Sequence, residues 1–200
     1  SYLQALRPLA LYIMVGLMGT GKTQAAEALA SHWGLPVISS DVVRKELAGI
    51  PAMEHRYEEF GRGLYAEEVS RRTYEELFRR AGGLLHQGRS VILDASFRKE
   101  ALRREAQRVA QAAGAEPWLI ECTASEPATR KRLEQRLREP GITSDGRWEI
   151  FRQQRMAFEP VEASPAQGHL LLDTLGPPEE TAFRLLKSLY AGILQRGDQS

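Results

Sequence analysis

The sequence predicts an α/β fold in which a five-stranded parallel sheet is flanked by helices. The first observation is a series of five short apolar runs, each followed by a segment with the periodicity of a helix. The second is a glycine-rich loop that follows the first apolar run and opens a helical pattern. Because 200 residues are at or slightly above the length of one typical domain, we expect a single domain over residues 1–200.

Each element is predicted from a local signal. Apolar runs rich in residues that favour β-strands predict the strands, which are Leu9–Val15, Val37–Asp41, Ser90–Asp94, Trp118–Cys122 and Gly168–Asp173. Apolar residues at helical spacing predict the helices, which are Thr23–Trp33, Val42–Leu47, Glu67–Gln87, Lys99–Ala113, Glu126–Arg138, Asp145–Phe158 and Glu179–Leu194. Glycine and proline residues mark the ends of the predicted helices; Gly34, for example, follows the first of them. In the last helix we expect Phe183, Leu185, Leu186, Leu189 and Ile193 to pack inward.

The glycine-rich loop carries the strongest functional signal. Its spacing fits G-x-x-x-x-G-K-[ST], in which backbone N–H groups wrap a phosphate at the N-terminus of a helix. Lys22 would reach the β- and γ-phosphates, and the Thr23 hydroxyl would ligate Mg²⁺. The motif therefore predicts ATP and Mg²⁺ as cofactors. The nucleotide would be held by Gly16, Gly19, Thr20, Gly21, Lys22 and Thr23.

Acids close two of the other predicted strands. Side chains at the carboxyl ends of parallel strands face the ligand crevice, so Asp41 and Asp94 are expected near the phosphates. Asp94 would organise Mg²⁺, and Asp41 would act on the substrate together with Arg44, three residues further along. A helix N-cap at Asp41 with a solvated Arg44 is an equally open interpretation.

Two further segments are expected to close over the substrates. Residues 49–63 follow no clear period and would cover the acceptor, with Arg62 and Tyr65 among the recognition groups. Residues 130–158 form two arginine-bearing helices joined by a Pro-Gly turn and predict a lid over the triphosphate. Within that lid, Arg132 and Arg136 stand four residues apart and share one helix face. A solvated charged surface is the alternative for any individual arginine.

The composition limits which binding partners and which cellular compartment we expect for the protein. The formal net charge is +1, so no global field recruits nucleic acid or a membrane surface. The sequence shows neither a signal peptide nor an apolar run of about 18 residues, from which we expect a soluble, cytoplasmic protein with no membrane partner. The single cysteine, Cys122, excludes an internal disulfide and is expected in the core.

The segments Ile38–Gly49 and Val91–Phe97 resemble a known kinase family. They closely match the P-loop kinase domain that many bacteria carry behind an aminoglycoside-phosphotransferase-like domain. This domain is related to gluconate-kinase-like small-molecule kinases and to the 5′-hydroxyl polynucleotide kinases, in which Asp-x-x-Arg and a strand-end Asp recur. The likeness spans about residues 9–173.

The resemblance implies roles for individual residues. Asp41 matches the acid that deprotonates the acceptor hydroxyl, and Arg44 matches the residue that holds an acceptor phosphate. Arg132 with Arg136 or Arg138 falls where the lid arginines lie, so Lys22, Asp41, Arg132 and Arg136 are the implied catalytic residues and Arg138 a nucleotide ligand. Polynucleotide kinases often have an Asn after the strand-end Asp-Ala-Thr, whereas this chain has Phe97 after Asp-Ala-Ser. That difference favours the small-molecule group.

Three functions follow as hypotheses. The first is an ATP-dependent kinase that phosphorylates a hydroxyl of a small acceptor, anionic or nucleoside-like. The second is a 5′-hydroxyl polynucleotide kinase, for which nucleic acid would be the acceptor and aromatic platforms would be expected. The third is a switch module that hydrolyses ATP slowly and signals through its lid.

Overall fold

The computed structural model describes residues 7–51, 67–136, 148–162 and 168–197. Five strands and seven helices lie in these ranges. The strands are β1 (Ala10–Val15), β2 (Val37–Ser39), β3 (Val91–Asp94), β4 (Glu116–Thr123) and β5 (His169–Asp173). The helices are α1 (Lys22–Trp33), α2 (Ser40–Leu47), α3 (Glu67–His86), α4 (Glu100–Ala112), α5 (Glu126–Arg136), α6 (Trp148–Met156) and α7 (Pro178–Gly197).

The five strands form one parallel sheet in the order β2-β3-β1-β4-β5, which confirms the predicted fold class. β1 lies at the centre and every one of its residues is buried. A strand enclosed on both faces must be apolar throughout, which is why β1 shows a continuous apolar run rather than an alternating one. The loop that follows β1 therefore lies in the middle of the carboxyl edge of the sheet.

Alternate residues of β1 pack into two separate hydrophobic cores, because successive side chains of a strand point to opposite faces of the sheet. Leu11, Ile13 and Val15 pack into the core that α3 and α4 cover. Tyr12 and Met14 pack into the core on the other face, which α1 and α7 cover. The phosphate-loop region is thus supported by packed layers on both sides.

Two predictions need correction. β2 ends at Ser39, two residues earlier than predicted, so Asp41 lies in the first turn of α2 and not at the end of a strand. The N-cap of α2 is Ser39, so the alternative of an N-cap at Asp41 is wrong as well. Phe183 was expected to pack inward but is 67% exposed, because it is offset by two residues, about 200° around the helix, from buried Thr181 and Leu185.

Other expectations are confirmed or lie outside the described residues. The helices predicted for the lid are present as α5 and α6, whereas Arg138, Pro140, Gly141 and the predicted helix start at Asp145 lie outside the described residues. The same holds for Arg62 and Tyr65. Within the described ranges, no helix combines the length and apolar character that crossing a membrane requires.

Candidate nucleotide and acceptor site

The loop between β1 and α1 has the backbone conformation that its glycines predict. Gly19 has φ +74° and Gly21, the N-cap of α1, has φ +82°, values that residues with a Cβ rarely adopt. A Cβ at Gly19 would lie 2.9 Å from Cγ2 of Thr129 on α5, and one at Gly21 would lie 3.0 Å from Cβ of Thr174. Both glycines are required because other segments press against the loop from outside.

Hydrogen bonds inside the loop fix its curvature. The Thr20 hydroxyl and the Lys22 ammonium each donate to the carbonyl oxygen of Leu17, at 2.7 Å in both cases. The N–H of Gly16 donates to the carbonyl oxygen of Ser96 at 3.1 Å, which ties the start of the loop to the segment after β3. The loop therefore curls over the N-terminus of α1, where backbone N–H groups and the helix dipole favour an anion.

Thr23 and Asp94 meet at the end of β3. The Thr23 hydroxyl donates to Oδ2 of Asp94 at 2.8 Å, and Asp94 is 6% exposed. Hydroxyl and carboxylate oxygens are the ligands that Mg²⁺ prefers, and this ion takes its remaining ligands from water and substrate phosphates. The described residues contain no group of three or more His, Cys, Asp or Glu side chains able to hold a metal ion. The pair predicted as metal ligands is thus brought together.

Asp41 and Arg44 lie beside this pair. Ser39 of β2 is paired with Asp94 of β3, so α2 starts next to the end of β3. In the first turns of α2, Nη1 of Arg44 lies 3.4 Å from Oδ1 of Asp41, a long and weak hydrogen bond. The Asp41 side chain is 32% exposed and that of Arg44 only 11%. The carboxylate therefore remains accessible to a substrate while the guanidinium is largely enclosed.

Arg132, the predicted lid arginine of α5, contacts the phosphate loop directly. Its Nη1 donates to the Thr174 hydroxyl at 3.0 Å and to the carbonyl oxygen of Gly19 at 3.4 Å, and its Nη2 donates to the Thr174 carbonyl. No local sequence pattern predicts these partners. Arg136 lies one turn further along α5, at the last residue of that helix.

Two other arginines of this region join the lid helices to each other. Arg155 of α6 forms an ion pair with Glu126 of α5. Arg130 of α5 lies over the ring of Trp148 at the start of α6, 5.6 Å from its centroid. Both side chains are more than half exposed, so the alternative of a solvated charged surface applies to Arg130 and Arg155.

Thr174, just after β5, is a site residue that the sequence reasoning missed. It is 3% exposed, and its hydroxyl donates to the carbonyl oxygen of Thr20 at 2.8 Å while accepting from Arg132. It also lies at one wall of a narrow cleft between α1 and the start of α7, lined by Gly21, Gln24, Ala25, Thr174, Gly176, Pro178, Thr181 and Ala182. The signal that singled out Asp41 and Asp94, a polar residue at the end of a strand, was present here too.

Cys122 is in the core, as predicted. Burial raises the pKa of its thiol to about 12, although the nearby charge of Lys22 acts in the opposite direction. The thiol is therefore protonated at neutral pH and is not a nucleophile. Its role at the site is steric, since the Cys122 carbonyl oxygen lies 2.6 Å from where a Cβ at Gly16 would stand.

A glycine-rich loop between the central parallel strand and a helix, with Lys22 and Thr23 at the helix start and Asp94 at the adjacent strand end, defines a P-loop NTPase fold. Residues 11–161 match the AAA domain family AAA_33, and the chain belongs to that family.

Known proteins with the same fold include kinases and an uncharacterized relative. Protein Rv2004c of Mycobacterium tuberculosis is 31% identical over 171 residues, which are 86% of this chain and 33% of the relative, so the chain spans a third of that protein. A gluconokinase from Sinorhizobium meliloti superposes with a TM-score of 0.69 at 19% identity, covering 96% of this chain and 98% of the other. The APS kinase CysC of Mycobacterium tuberculosis, solved with AMPPNP and APS, gives 0.64 at 16% identity, covering 92% and 98%. The two superpositions show that this chain has the same fold as the gluconokinase and the APS kinase.

Proposed function

We propose that the protein is a Mg²⁺- and ATP-dependent kinase that transfers the γ-phosphoryl group to a hydroxyl of a small acceptor, anionic or nucleoside-like. The observation that carries the proposal is the position of Asp41. This accessible carboxylate lies beside the Thr23–Asp94 pair, at the edge of the sheet to which the phosphate loop also belongs. A nucleotide hydrolase needs only a positioned water, whereas a carboxylate paired with Arg44 suits an acceptor that must be both oriented and deprotonated.

The loop and its surroundings bind the triphosphate in this proposal. Backbone N–H groups from Gly16 to Lys22 surround the phosphates, and the Lys22 ammonium, which has three donors, contacts the β- and γ-oxygens. Thr23 and Asp94 hold the metal ion, which neutralises charge on the transferring phosphoryl group when bound.

Asp41 is the proposed general base. It accepts the proton of the acceptor hydroxyl as the oxygen attacks the γ-phosphorus, and Arg44 orients the acceptor. Asp94 is the poorer candidate because it is 6% exposed and already accepts a hydrogen bond from Thr23. Arg132, Arg136 and Arg138 supply positive charge from the lid side, and Arg132 contacts the loop at the Gly19 carbonyl.

A small acceptor is favoured over a polynucleotide end. Phe97, the aromatic residue shortly after β3, is fully buried and offers no stacking platform for bases. Trp148 is stacked on Phe151 with ring centroids 4.8 Å apart, so one of its faces is covered. The names of the gluconokinase and the APS kinase, two proteins of the same fold, indicate acceptors that are small and anionic. We also propose that the chain acts in the cytoplasm.

The test is ATP consumption against a panel of hydroxyl acceptors. The panel contains sugars, sugar acids, nucleosides and 5′-hydroxyl oligonucleotides, with product formation followed by transfer of labelled γ-phosphate. Wild type should phosphorylate a member of the small-molecule set, Lys22→Ala should not, and Lys187→Ala should match wild type because Lys187 is an exposed lysine of α7. ATP hydrolysis that no acceptor stimulates would overturn the proposal, and transfer to oligonucleotides alone would replace the acceptor class.

A further inference from the structure

Arg103 of α4 is a buried arginine whose hydrogen bonds go to backbone carbonyl groups. The residue is 3% exposed, its Nη1 donates to the Phe97 carbonyl at 2.9 Å, and its Nη2 donates to the Pro160 carbonyl at 2.8 Å. Arginine is rarely buried to this extent, because removing a cation from water is costly even when its N–H groups are hydrogen-bonded. What this side chain provides at that cost is a bridge between two segments of backbone.

The two bridged segments are far apart in the chain. The first is the turn after β3, and the second follows α6, the second of the helices predicted for the lid. The other end of the lid is placed by chain connectivity, because α5 begins at Glu126, shortly after β4 ends at Thr123. The end after α6 has no such short link, since α6 ends at Met156 and β5 begins only at His169. Its placement therefore depends on non-covalent contacts.

The segment after α6, residues 158–161, is attached to the same turn and to α4 by further contacts, and we call this segment the lid root. The N–H of Glu159 donates to the Arg98 carbonyl at 2.9 Å, and the Glu159 carboxylate accepts from the N–H of Glu100. Phe158 packs against the core that α4 covers. The carboxylate bond is exposed, where water competes for both groups. The buried bridge is therefore expected to contribute more to fixing the lid root.

The turn that receives the lid root is also bonded to the phosphate loop. The N–H of Gly16, the first glycine of that loop, donates to the Ser96 carbonyl at 3.1 Å. The N–H of Phe97 donates to the Tyr74 hydroxyl of α3 at 3.2 Å. Phe97 has φ +45°, a strained conformation for a bulky residue that persists only where the surroundings enforce it. The turn is thus held from several sides and connects the lid root to the phosphate loop.

We propose that Arg103 is a positioning residue of the kinase, one that fixes the lid root relative to the phosphate loop. The inference rests on the proposed function for the part that the lid plays in transfer. Because α5 and α6 contact each other, a fixed root of α6 also limits where α5 can place its arginines. Arginine suits the task because its planar fork presents N–H groups to two acceptors at once, whereas a lysine ammonium is a point charge on a flexible stem.

Arg103→Lys tests this role, because it keeps the charge and removes the fork. We expect kcat to fall about 10- to 100-fold, since a misplacement of about 1 Å in a group that acts on the transition state costs up to about 10² in rate. The affinity for AMPPNP and Mg²⁺, measured calorimetrically, should stay within about threefold of wild type, because the bonds inside the phosphate loop remain.

The matched control is Ala110→Gly, on the same helix. Ala110 is fully buried, and glycine in a helix interior lowers stability without touching the lid root. Thermal unfolding shows that both variants are folded and how far the Tm of each has fallen. Ala110→Gly should keep the kcat of wild type. A wild-type kcat in folded Arg103→Lys, or an equal loss of kcat in Ala110→Gly, would overturn the proposal.

Amide hydrogen exchange of the wild type tests the same idea without a substitution. The Glu159 amide should exchange slowly both with and without AMPPNP and Mg²⁺, because its bond to the Arg98 carbonyl is present before nucleotide binds. In Arg103→Lys this amide should exchange about tenfold faster, and in Ala110→Gly it should not. Rapid exchange at Glu159 in wild type would show that the lid root is not fixed and would overturn the proposal even if Arg103→Lys did not fold.

A double-mutant cycle identifies the route by which Arg103 acts. The second substitution is the lid-arginine alanine variant with the largest loss of turnover. In that background Arg103→Lys should cost almost nothing further in kcat, because residues that serve one step of a reaction are strongly non-additive. Two losses that simply multiply would mean that Arg103 acts independently of the lid, against the proposal.

The two readouts separate this inference from the proposed function. If phosphoryl transfer occurs and Arg103→Lys has the kcat of wild type, the positioning role is refuted while the kinase stands. If no acceptor is phosphorylated, the kinase is refuted and exchange at Glu159 alone decides whether Arg103 fixes the lid root.

Discussion

The hydroxyl of Thr174 should matter to both stability and nucleotide affinity, although this residue lies 150 positions from the phosphate loop in sequence. Thr174→Val removes the hydroxyl and keeps the shape of the side chain. The hydroxyl donates to the Thr20 carbonyl at 2.8 Å and accepts from Arg132 at 3.0 Å, in a position that is 3% exposed. Valine therefore leaves a buried carbonyl and a guanidinium N–H with one partner fewer.

The expected magnitude follows from those two bonds. An unsatisfied buried group costs about 1–3 kcal/mol. Arg132 keeps its bond to the Thr174 carbonyl, so the lower part of that range applies to it, and we expect a total of about 2 kcal/mol. For a chain of this size that corresponds to a decrease in Tm of about 4–8 °C. Because the loop loses a support on its outer side, AMPPNP affinity should fall about tenfold, equal to about 1.4 kcal/mol.

Thermal unfolding and calorimetric titration with AMPPNP and Mg²⁺ measure the two effects. Thr73→Val is the matched control, since its hydroxyl is fully buried and donates to the Val69 carbonyl at 2.7 Å inside α3, away from the loop. That variant should lose stability without losing AMPPNP affinity. If Thr174→Val keeps both the Tm and the affinity of wild type, or if Thr73→Val loses as much affinity, the reasoning about the support is wrong.

Four further predictions test the proposed chemistry and the lid. Lys22→Ala should nearly abolish phosphoryl transfer with an unchanged Tm, and wild-type turnover in this variant would contradict the nucleotide site. Asp41→Asn should lower the acceptor-dependent rate by about 10²–10⁴-fold with a small effect on ATP binding, so a collapse of ATP affinity at unchanged kcat would assign Asp41 to the metal. Among alanine variants of Arg132, Arg136 and Arg138, one or two should lose about 10³–10⁵ in turnover, and three rates within a few-fold of wild type would contradict the lid. Amide exchange across residues 130–158 should slow when AMPPNP and Mg²⁺ bind, and unchanged exchange would contradict lid closure.

The strands were the most predictable part of the fold. β1 and β3 are largely apolar runs whose residues are all buried, as expected for strands of a parallel sheet that helices cover on both faces. The end of β2 was not predictable from Val37 to Asp41, because the polar residues Ser39 and Ser40 suit a strand end and a helix start equally well. The structure resolves this by starting α2 at Ser40.

Contacts across the sheet could not be predicted. The bonds of Thr174 to Thr20 and to Arg132, and that of Tyr74 to Phe97, join residues that are 154, 42 and 23 positions apart in sequence. They depend on the strand order, which nothing in the local pattern specifies. Sequence reasoning therefore found Lys22 and Asp94, whose roles follow from a motif and a strand end, and missed the groups that hold the loops in place.

The strand order explains why the two halves of the candidate site are built differently. β1 is central, so the phosphate loop has β3 and β2 on one side and β4 and β5 on the other. The β3 and β2 side carries Asp41 and Arg44, which are proposed to act on the acceptor, and Asp94, which is proposed to hold the metal ion. The β4 and β5 side supplies Thr174 and, from α5, Arg132, both of which bind the loop itself. A substitution of Asp41 or Arg44 should therefore change acceptor kinetics, whereas loss of the Thr174 hydroxyl should change nucleotide affinity, because this hydroxyl is hydrogen-bonded to the loop backbone.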